Sequence, residues 1–237
     1  MLDVSAPPLR GPVLFDQQWL DLAFLHWAVS PSDVAPLLPP GTRPDVIDGV
    51  TFVGLVPFHM RRAGFGRGLP VPWFGDFLET NVRLYSLDEA GRHGVVFRSL
   101  EAERLATVLG ARWGYRIPYV WSRMAVERQG RRRRWSSRRR WPDRNLRCDI
   151  EIRIGDPVQA TELDVFVTAR WGMHSRLAGR TLWTPNTHAP WPLHRAELVR
   201  LDDELLSAAG FRLDRAPDLP VRWSPGVRTQ FGLPTVI

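Results

Sequence analysis

Polar side chains that could perform acid–base or anion-binding chemistry alternate along the segment from Phe77 to Leu87. This segment is predicted to be a β-strand, in which successive side chains point to opposite faces. One face then carries the polar residues Glu79, Asn81, Arg83 and Tyr85. The other face carries mostly apolar residues, Leu78, Thr80, Val82 and Leu84. The polar row is either a solvated outer face or the wall of a cavity, and composition alone favours solvent.

The spacing within this row limits how its charged members can be paired. Glu79 and Arg83 are four residues apart, which is about 13 Å along a strand at about 3.3 Å per residue. They cannot neutralise each other, so each needs its own partner, and Arg98 on the next predicted strand is a candidate for Glu79. Glu79 could then serve as an acid, a base or an anchoring carboxylate, while an arginine binds an anionic substrate group through paired hydrogen bonds.

The six histidines and the single cysteine give weaker signals. No His-x-His or His-Glu-x-x-His spacing occurs, and one cysteine cannot build a multi-cysteine site, so no metal site is predicted. Without a Gly-x-Ser-x-Gly motif, a hydrolase nucleophile is not predicted either. His26 lies among apolar neighbours and is interpreted as a core residue with satisfied hydrogen bonds. His188 is a candidate for lining a pocket, although a structural corner explains it equally well.

All 32 basic residues are arginines, because the chain contains no lysine. Seven of them lie at 131–134 and 138–140, and the remaining arginines equal the 25 acidic residues in number. With Trp135 and Trp141 interleaved, this run could bind nucleic acid through phosphate contacts and base stacking. The alternation of its side chains between two faces also suits a solvated hairpin at about residues 129–147, whose charges protect a sheet edge. We favour the hairpin over nucleic-acid binding, and on that interpretation the run is dispensable for folding.

The 21 prolines and 19 glycines divide the chain into short segments rich in strand-forming residues. Predicted strands cover residues 50–60, 77–87, 94–100, 119–128, 133–141, 147–154, 171–175 and 180–187. Three helices are predicted: one begins at the N-cap Ser30, one covers 101–112 and one covers 194–209, where Leu198, Leu201 and Leu205 recur at helical spacing. The apolar face of the 77–87 strand is expected to pack against helices.

The chain is predicted to form a single α+β domain over residues 1–237, with no cofactor-binding motif. The glycine-rich segment 64–68 fits neither a Rossmann nor a Walker pattern and is interpreted as a mobile loop at a pocket mouth. No run of about 20 apolar residues and no secretory signal occurs. We therefore expect a cytoplasmic protein without a membrane span.

Several sequence blocks, taken in order, carry a family resemblance. They cover residues 24–27, 53–58, 79–85, 97–102, 117–119 and 188–193. Together they resemble the YqjF-like uncharacterised family, whose members are similar to the acetoacetate decarboxylase superfamily. The resemblance implies a mainly antiparallel, partly closed β-barrel or cone-shaped sheet around a small-molecule cavity. It also favours the cavity over solvent for Glu79, since the related decarboxylases place an acid on the corresponding strand inside the cavity.

The resemblance also limits the chemistry. Decarboxylases of that superfamily form a Schiff base on a lysine, and the nearest counterpart here is the dipeptide Pro118–Tyr119. Because the chain has no lysine, imine chemistry through a side-chain amine is excluded.

These observations support a small-molecule protein with a lined cavity. The predicted lining residues are Glu79, Asn81, Arg83, Tyr85, Arg98, Tyr119 and His188. If the protein is an enzyme, Glu79, Arg83 and Tyr119 are the candidate catalytic residues of a cofactor-independent lyase, isomerase or cyclase. The alternatives are a non-catalytic ligand-binding module and a nucleic-acid-associated protein that uses the arginine run. The expected partner is a small anionic molecule, and the oligomeric state, a homo-oligomer included, stays open.

Overall fold

The computed structural model describes residues 3–66, 75–104, 118–142 and 145–237. Strands dominate these residues, and none of the helices among them is long and apolar enough to cross a membrane. The helices are α1 (Pro31–Val34), α2 (Glu162–Thr168) and α3 (Leu205–Ala208), and a 3-10 turn covers Ala35–Leu37. The strands are β1 (Phe15–Val29), β2 (Thr42–Pro44), β3 (Thr51–Phe65), β4 (Phe77–Asp88), β5 (His93–Ala102), β6 (Tyr119–Gln129), β7 (Arg132–Trp141), β8 (Arg147–Pro157), β9 (Gly172–Leu177), β10 (Arg180–His188), β11 (His194–Asp203), β12 (Arg222–Phe231) and β13 (Thr235–Val236).

The strands form one sheet that closes on itself. Two closed rings of strands have five neighbouring strands in common, in the order β12–β1–β3–β4–β5, which are called the shared strands below. From β5, one path of strands runs through β6, β7, β8 and β11, a second runs through β9 and β10, and both return to β12. Only the contacts of β5 with β6 and with β9 are parallel among the described ladders. This ring-like closure confirms the predicted mainly antiparallel, partly closed architecture.

One face of the shared strands packs against the longer path, which consists of β6, β7, β8 and β11. Leu55 of β3 and Leu84 of β4 belong to the same buried cluster as Trp135 of β7 and Ile150 and Ile152 of β8. The expectation that this face packs against helices holds only in part, because Val34 of α1 and Leu205 and Leu206 of α3 belong to this cluster. The path from β6 to β11 folds back over the same face, and this second layer of sheet supplies most of the opposing apolar side chains.

The opposite face of the shared strands, called the inner face below, carries a separate aromatic core. Phe24 of β1 and Phe58 of β3 pack there with Trp191, which follows β10. Because β4 is covered on both sides, its side chains are buried whichever way they point, and only Leu87 is half-exposed among its twelve residues. Polar groups on this strand must therefore find partners inside the protein.

The predicted helix at 194–209 is wrong for most of its length. Residues His194–Asp203 form strand β11, which pairs with β8, and only Leu205–Ala208 are helical. A register shift between Leu198 and Arg200 gives β11 an extra residue. Such a bulge lets Leu198 and Leu201, three residues apart, reach the same apolar cluster. The spacing that indicated a helix is thus produced by a bulged strand.

The other predicted helices have different outcomes. The helix after Ser30 is present but short, and the Ser30 hydroxyl accepts a hydrogen bond from the backbone of Ser32. The predicted helix at 101–112 begins with two residues that belong to β5, and its part from residue 105 lies outside the described residues. Of the predicted glycine-rich loop at 64–68, residues 64 and 65 belong to β3 and residues 67 and 68 lie outside the described residues. Helix α2 was not predicted, although the capping box of Thr161 and Asp164 marks its start.

The arginine-rich hairpin exists, but it is not at a sheet edge. Strand β7 pairs with β6 on one side and β8 on the other, so its charges cannot serve to protect an edge. Nor is the run fully solvated. Arg139 is buried, and its Nη2 donates to Glu101 Oε1 at 2.5 Å, while Arg133 pairs with Asp21 at 2.9 Å. The interpretation of the run as a solvated, dispensable edge is therefore corrected.

Candidate functional site

The four polar residues of β4 lie on the inner face and are almost fully enclosed. Glu79, Asn81, Arg83 and Tyr85 are exposed to 2%, 4%, 7% and 0% respectively. The inner-face residues opposite them on β3 are apolar or lack a side chain: Phe58, Val56 and Gly54. These four polar side chains, called the polar wall below, therefore stand in an aromatic and aliphatic interior rather than in bulk solvent.

Glu79 is paired with a tyrosine from a strand that is not its neighbour. The Tyr119 hydroxyl of β6 donates to Glu79 Oε2 at 2.9 Å, passing over β5, where Ala102 lies opposite Glu79. Burial raises the pKa of Glu79 to about 7, although hydrogen bonds from Tyr119 and Asn81 oppose the rise. Burial and the nearby Glu79 charge raise the pKa of Tyr119 well above its usual value. A carboxyl group that titrates near neutral pH can both donate and accept a proton.

Arg83 has no charged partner in the described part of the chain. Its Nε donates to the Tyr85 hydroxyl at 3.0 Å and its Nη2 donates to the Val167 carbonyl at 3.0 Å. Its guanidinium lies 5.5 Å from the Phe24 ring centroid and 5.7 Å from that of Tyr85. Among the described residues, no carboxylate forms an ion pair with Arg83, and Nη1 makes no hydrogen bond. A buried positive charge thus remains uncompensated.

A hydrogen-bonded pair beneath Arg83 fixes its position. His26 Nε2 and the Tyr85 hydroxyl are 2.6 Å apart, and Tyr85 donates to the Val167 carbonyl at 3.2 Å. The donors of His26 and Tyr85 are both satisfied if neutral His26 carries its proton on Nε2 and donates to the Tyr85 hydroxyl. Burial, with the charges of Arg83 and Arg170, lowers the pKa of His26 well below its usual value, which keeps it neutral. The interpretation of His26 as a satisfied core residue agrees with these contacts.

A second arginine near the polar wall is neutralised. The Arg170 guanidinium lies 4.8 Å from the Tyr85 ring centroid and forms an ion pair with Asp45. Asp45 also contacts His93 Nδ1 at 2.6 Å. Sequence reasoning missed this group, since 125 residues separate Arg170 from Asp45 and neither lies in a recognisable motif.

Arg98 has different surroundings from those expected. Arg98 does not contact Glu79: Val82 pairs with Ser99 and Arg83 with Phe97, so Arg98 occupies the extra position of a bulge in β5. Its Nε is buried without a hydrogen-bond partner, and burial lowers the pKa of its guanidinium. These contacts correct the expected pairing of Arg98 with Glu79.

His188 lies near Arg83, between two indole rings. Its ring centroid is 4.6 Å from that of Trp171 and 5.1 Å from that of Trp191, and its Nδ1 donates to the Ala189 carbonyl at 2.7 Å. Burial, together with the charge of Arg83, lowers the pKa of His188 to about 4, against the opposing effect of the Ala189 hydrogen bond. His188 is therefore neutral at pH 7, with Nε2 as a hydrogen-bond acceptor.

Several buried polar atoms on the inner face have no hydrogen-bond partner. The atoms are Asn81 Oδ1, Trp19 Nε1, Asn186 Oδ1 and Thr229 Oγ1. Asn81 belongs to the polar wall. Strand register places the other three residues on the same face, because Trp19 pairs with Met60, Asn186 with Phe231 and Thr229 with His188. Buried polar groups are ordinarily hydrogen-bonded, so such a concentration indicates a place for water or a ligand.

Two other features do not form competing sites. Ser86 Oγ lies 2.8 Å from His174 Nδ1, and His174 Nε2 lies 3.2 Å from Asp88. Asp88 also forms an ion pair with Arg92, so this buried group is neutralised and hydrogen-bonded internally. A surface cleft of about 690 Å³ between β11, α3 and residues 211–216 contains none of the polar wall residues. Within the described ranges, no group of three His, Cys, Asp or Glu side chains could hold a metal ion.

The overall fold is shared with solved structures of low sequence identity. The enduracididine biosynthesis enzyme MppR complexed with pyruvate matches with a TM-score of 0.65 at 12% identity, over 96% of this chain and 91% of that chain. An acetoacetate decarboxylase from Legionella pneumophila matches with a TM-score of 0.65 at 13% identity, over 98% and 91%. An acetoacetate decarboxylase-like enzyme from Sphingomonas wittichii RW1 gives 0.64 at 12% identity, over 96% and 94%. The expected acetoacetate decarboxylase-like fold is confirmed.

The sequence itself has a closer relative. The uncharacterized protein YqjF of Bacillus subtilis (strain 168) is 29% identical over 221 residues, which cover 92% of this chain and 89% of that protein. The expected YqjF-like resemblance is therefore confirmed. Since residues 16–228 match the sequence profile of DUF2071, a family described as uncharacterized conserved proteins, the chain belongs to the DUF2071 family.

Proposed function

We propose that the inner face binds a small organic anion through Arg83, and that Glu79 and Tyr119 exchange a proton with the bound molecule. The observation that carries this proposal is the buried guanidinium of Arg83, which has no carboxylate partner in the described residues. An isolated buried charge costs several kcal/mol, on the order expected for removing an ion from water. The faces of Phe24 and Tyr85 offset part of this cost, and a bound carboxylate would offset more.

The neighbours of Arg83 support an anion rather than a cation. His188 and His26 are neutral at pH 7 and Arg170 is already paired with Asp45, so Arg83 gives this part of the inner face a net positive charge. The Nη1 group of Arg83 is available for a carboxylate oxygen. His188 Nε2 can accept a hydrogen bond from the same molecule.

Glu79 would act at the other end of the polar wall. It lies about 13 Å from Arg83 along β4, at about 3.3 Å per residue, and Asn81 stands between them with an unpartnered Oδ1. A molecule of several non-hydrogen atoms, held at Arg83 by its carboxylate, could present a C–H or O–H group toward Glu79. With a pKa of about 7, Glu79 is partly ionised at neutral pH and can accept that proton.

The reaction would proceed without an imine, because the chain has no lysine. Proton abstraction beside a carbonyl would give an enolate, and Tyr119 could stabilise developing negative charge by a hydrogen bond. This chemistry suits a cofactor-independent lyase, isomerase or cyclase. A structural neighbour is described as complexed with pyruvate, a small 2-oxo acid, which makes pyruvate a reasonable first probe.

The test uses pyruvate, 2-oxobutanoate and acetoacetate as probes. Binding is measured by calorimetry, and exchange of the C–H protons beside the carbonyl into D₂O is followed by NMR. We expect Arg83→Gln to weaken binding at least tenfold and Glu79→Gln to abolish enzyme-dependent exchange while retaining binding. The matched control is Arg176→Gln, which removes the same charge from an exposed position on β9.

Distinct outcomes would contradict distinct parts of the proposal. Unchanged binding in Arg83→Gln would rule out the anion site. Binding by the wild-type protein without any proton exchange would rule out the proton-transfer step and leave a ligand-binding module. If none of the three probes binds, the proposed ligand class is wrong.

A further inference from the structure

We infer that the outer face of β6, β7 and β8 binds single-stranded nucleic acid. Three arginines form one row across these strands: Arg123 of β6 lies opposite Arg138 of β7, which lies opposite Arg147 of β8. These three residues are called the arginine row. Directly opposed residues share a face and lie on strands about 4.8 Å apart, so three positive charges stand side by side.

The charges of the arginine row are not neutralised within the described part of the chain. All three side chains are exposed, and none forms an ion pair with a carboxylate in the described part of the chain. The polar contact of the Arg138 guanidinium is with Asn145 Oδ1 at 2.8 Å. Like charges directly opposite each other destabilise a sheet, so an external anion would relieve a repulsion that the fold leaves in place.

Other arginines of the same hairpin behave differently. Arg131 pairs with Asp156 at 3.5 Å, Arg132 with Glu151 at 3.2 Å and Arg134 with Asp149 at 2.6 Å. The run thus divides into a paired end and an end rich in uncompensated charge. Protection of a sheet edge cannot explain the uncompensated end, because β7 lies inside the sheet.

Aromatic residues border the row. The Arg140 guanidinium lies 5.1 Å from the Trp121 ring centroid, and Trp121 lies opposite Trp141, whose side chain is 45% exposed. Tryptophan faces stack on unpaired bases, and arginines contact the phosphates beside them. A duplex keeps its bases stacked internally, so indoles next to a basic row favour a single strand.

Binding is tested with a fluorescein-labelled 15-nucleotide oligothymidylate, by fluorescence anisotropy between 20 and 300 mM NaCl. Each phosphate contact contributes about 0.7 to the salt slope for a single strand, so contacts from the three arginines of the row and from the exposed Arg140 predict a slope of about −3. We expect the salt slope of the triple variant Arg123→Ser, Arg138→Ser, Arg147→Ser to be shallower by about 2, which leaves a slope of about −1. Trp141→Ala should weaken binding about tenfold with an unchanged slope, because base stacking is not ionic.

The matched control is the triple variant Arg131→Ser, Arg132→Ser, Arg153→Ser. It removes the same net charge from the same sheet, but from arginines that already have acidic partners. We expect it to bind the oligonucleotide nearly as well as wild type. Equal loss in both triple variants would overturn the proposal, since net charge alone would then explain binding. So would absence of wild-type binding, or wild-type binding only to vesicles containing phosphatidylserine. Circular dichroism confirms folding, and Arg138→Ala alone replaces the triple variant if that variant does not fold.

Discussion

The hydroxyl of Tyr119 and the carboxylate of Glu79 are hydrogen-bonded at 2.9 Å across an intervening strand. The two residues lie on β6 and β4, and β5 separates them. Ala102 of β5, directly opposite Glu79, belongs to the same apolar cluster as the Tyr119 ring. The pair therefore combines a carboxyl group of raised pKa with a donor that holds it in place.

Burial of Glu79 should make stability depend on pH in a defined direction. Its pKa rises from 4.5 to about 7 on folding, so between these values the folded chain holds a proton that the unfolded chain has lost. The free energy of unfolding should therefore fall as pH rises from about 4.5 to 7, by on the order of 3 kcal/mol from this group. Urea denaturation from pH 5 to 8 should show Glu79→Gln gaining stability over wild type as pH rises. A pH-independent difference would contradict a raised pKa.

His188 should contribute the opposite slope. Its pKa falls from 6.5 to about 4 on folding, so between these values the unfolded chain binds a proton that the folded chain does not. The free energy of unfolding should therefore decrease as pH falls from about 6.5 to 4, again by on the order of 3 kcal/mol. His188→Gln should reduce this acid-side loss when the two proteins are compared by urea denaturation. A loss of equal size in the variant would show that other groups cause it.

Arg139 and Arg138 are adjacent in sequence but should differ sharply when replaced. Arg139→Ser leaves the fully buried Glu101 carboxylate without its main partner, which should cost about 3–5 kcal/mol. Arg138→Ser changes an exposed side chain and should alter stability by no more than about 0.5 kcal/mol. Chemical denaturation of both variants under the same conditions tests the contrast. Equal, small effects would restore the interpretation of the run as dispensable.

Gly54 provides the space in which His26 and Tyr85 meet. A Cβ at residue 54 would lie 2.8 Å from His26 Nε2 and 3.2 Å from the Tyr85 hydroxyl. Gly54→Ala should therefore cost about 1–3 kcal/mol through overpacking. The cost should be smaller in a His26→Ala background, where the closest atom is absent, and a double-mutant cycle measures the difference. Additive effects would show that the clash is elsewhere.

The absence of lysine should be visible in a trapping experiment. Sodium cyanoborohydride added with acetoacetate should give no covalent adduct on any internal peptide, because no side chain supplies a primary amine. Peptide mass spectrometry distinguishes an internal adduct from one on the chain's α-amino group, which serves as the internal control. An adduct on an internal peptide would contradict the exclusion of imine chemistry.

The sequence by itself determined the local features of this protein. The two-residue period of a strand placed Glu79, Asn81, Arg83 and Tyr85 on one face. The eight predicted strands lie close to β3–β10, whereas β1, β2, β11, β12 and β13 were not predicted as strands. Ser30 correctly marked a helix start, because capping depends on neighbouring residues. The missing lysine excluded an imine without reference to any structure.

The tertiary structure decided which faces of β4 are enclosed and which side chains pair with each other. The long path of strands covers one face of β4 and the aromatic core covers the other, and this depends on strand order rather than on local sequence. Bulges have no reliable sequence signal, yet one keeps Leu198 and Leu201 in the same core and another places Arg98 away from Glu79. Arg170 meets Asp45 although 125 residues separate them, and only the folded chain brings the two together. Burial and pairing are long-range properties, and they turn a row of polar residues into an enclosed wall with an uncompensated charge.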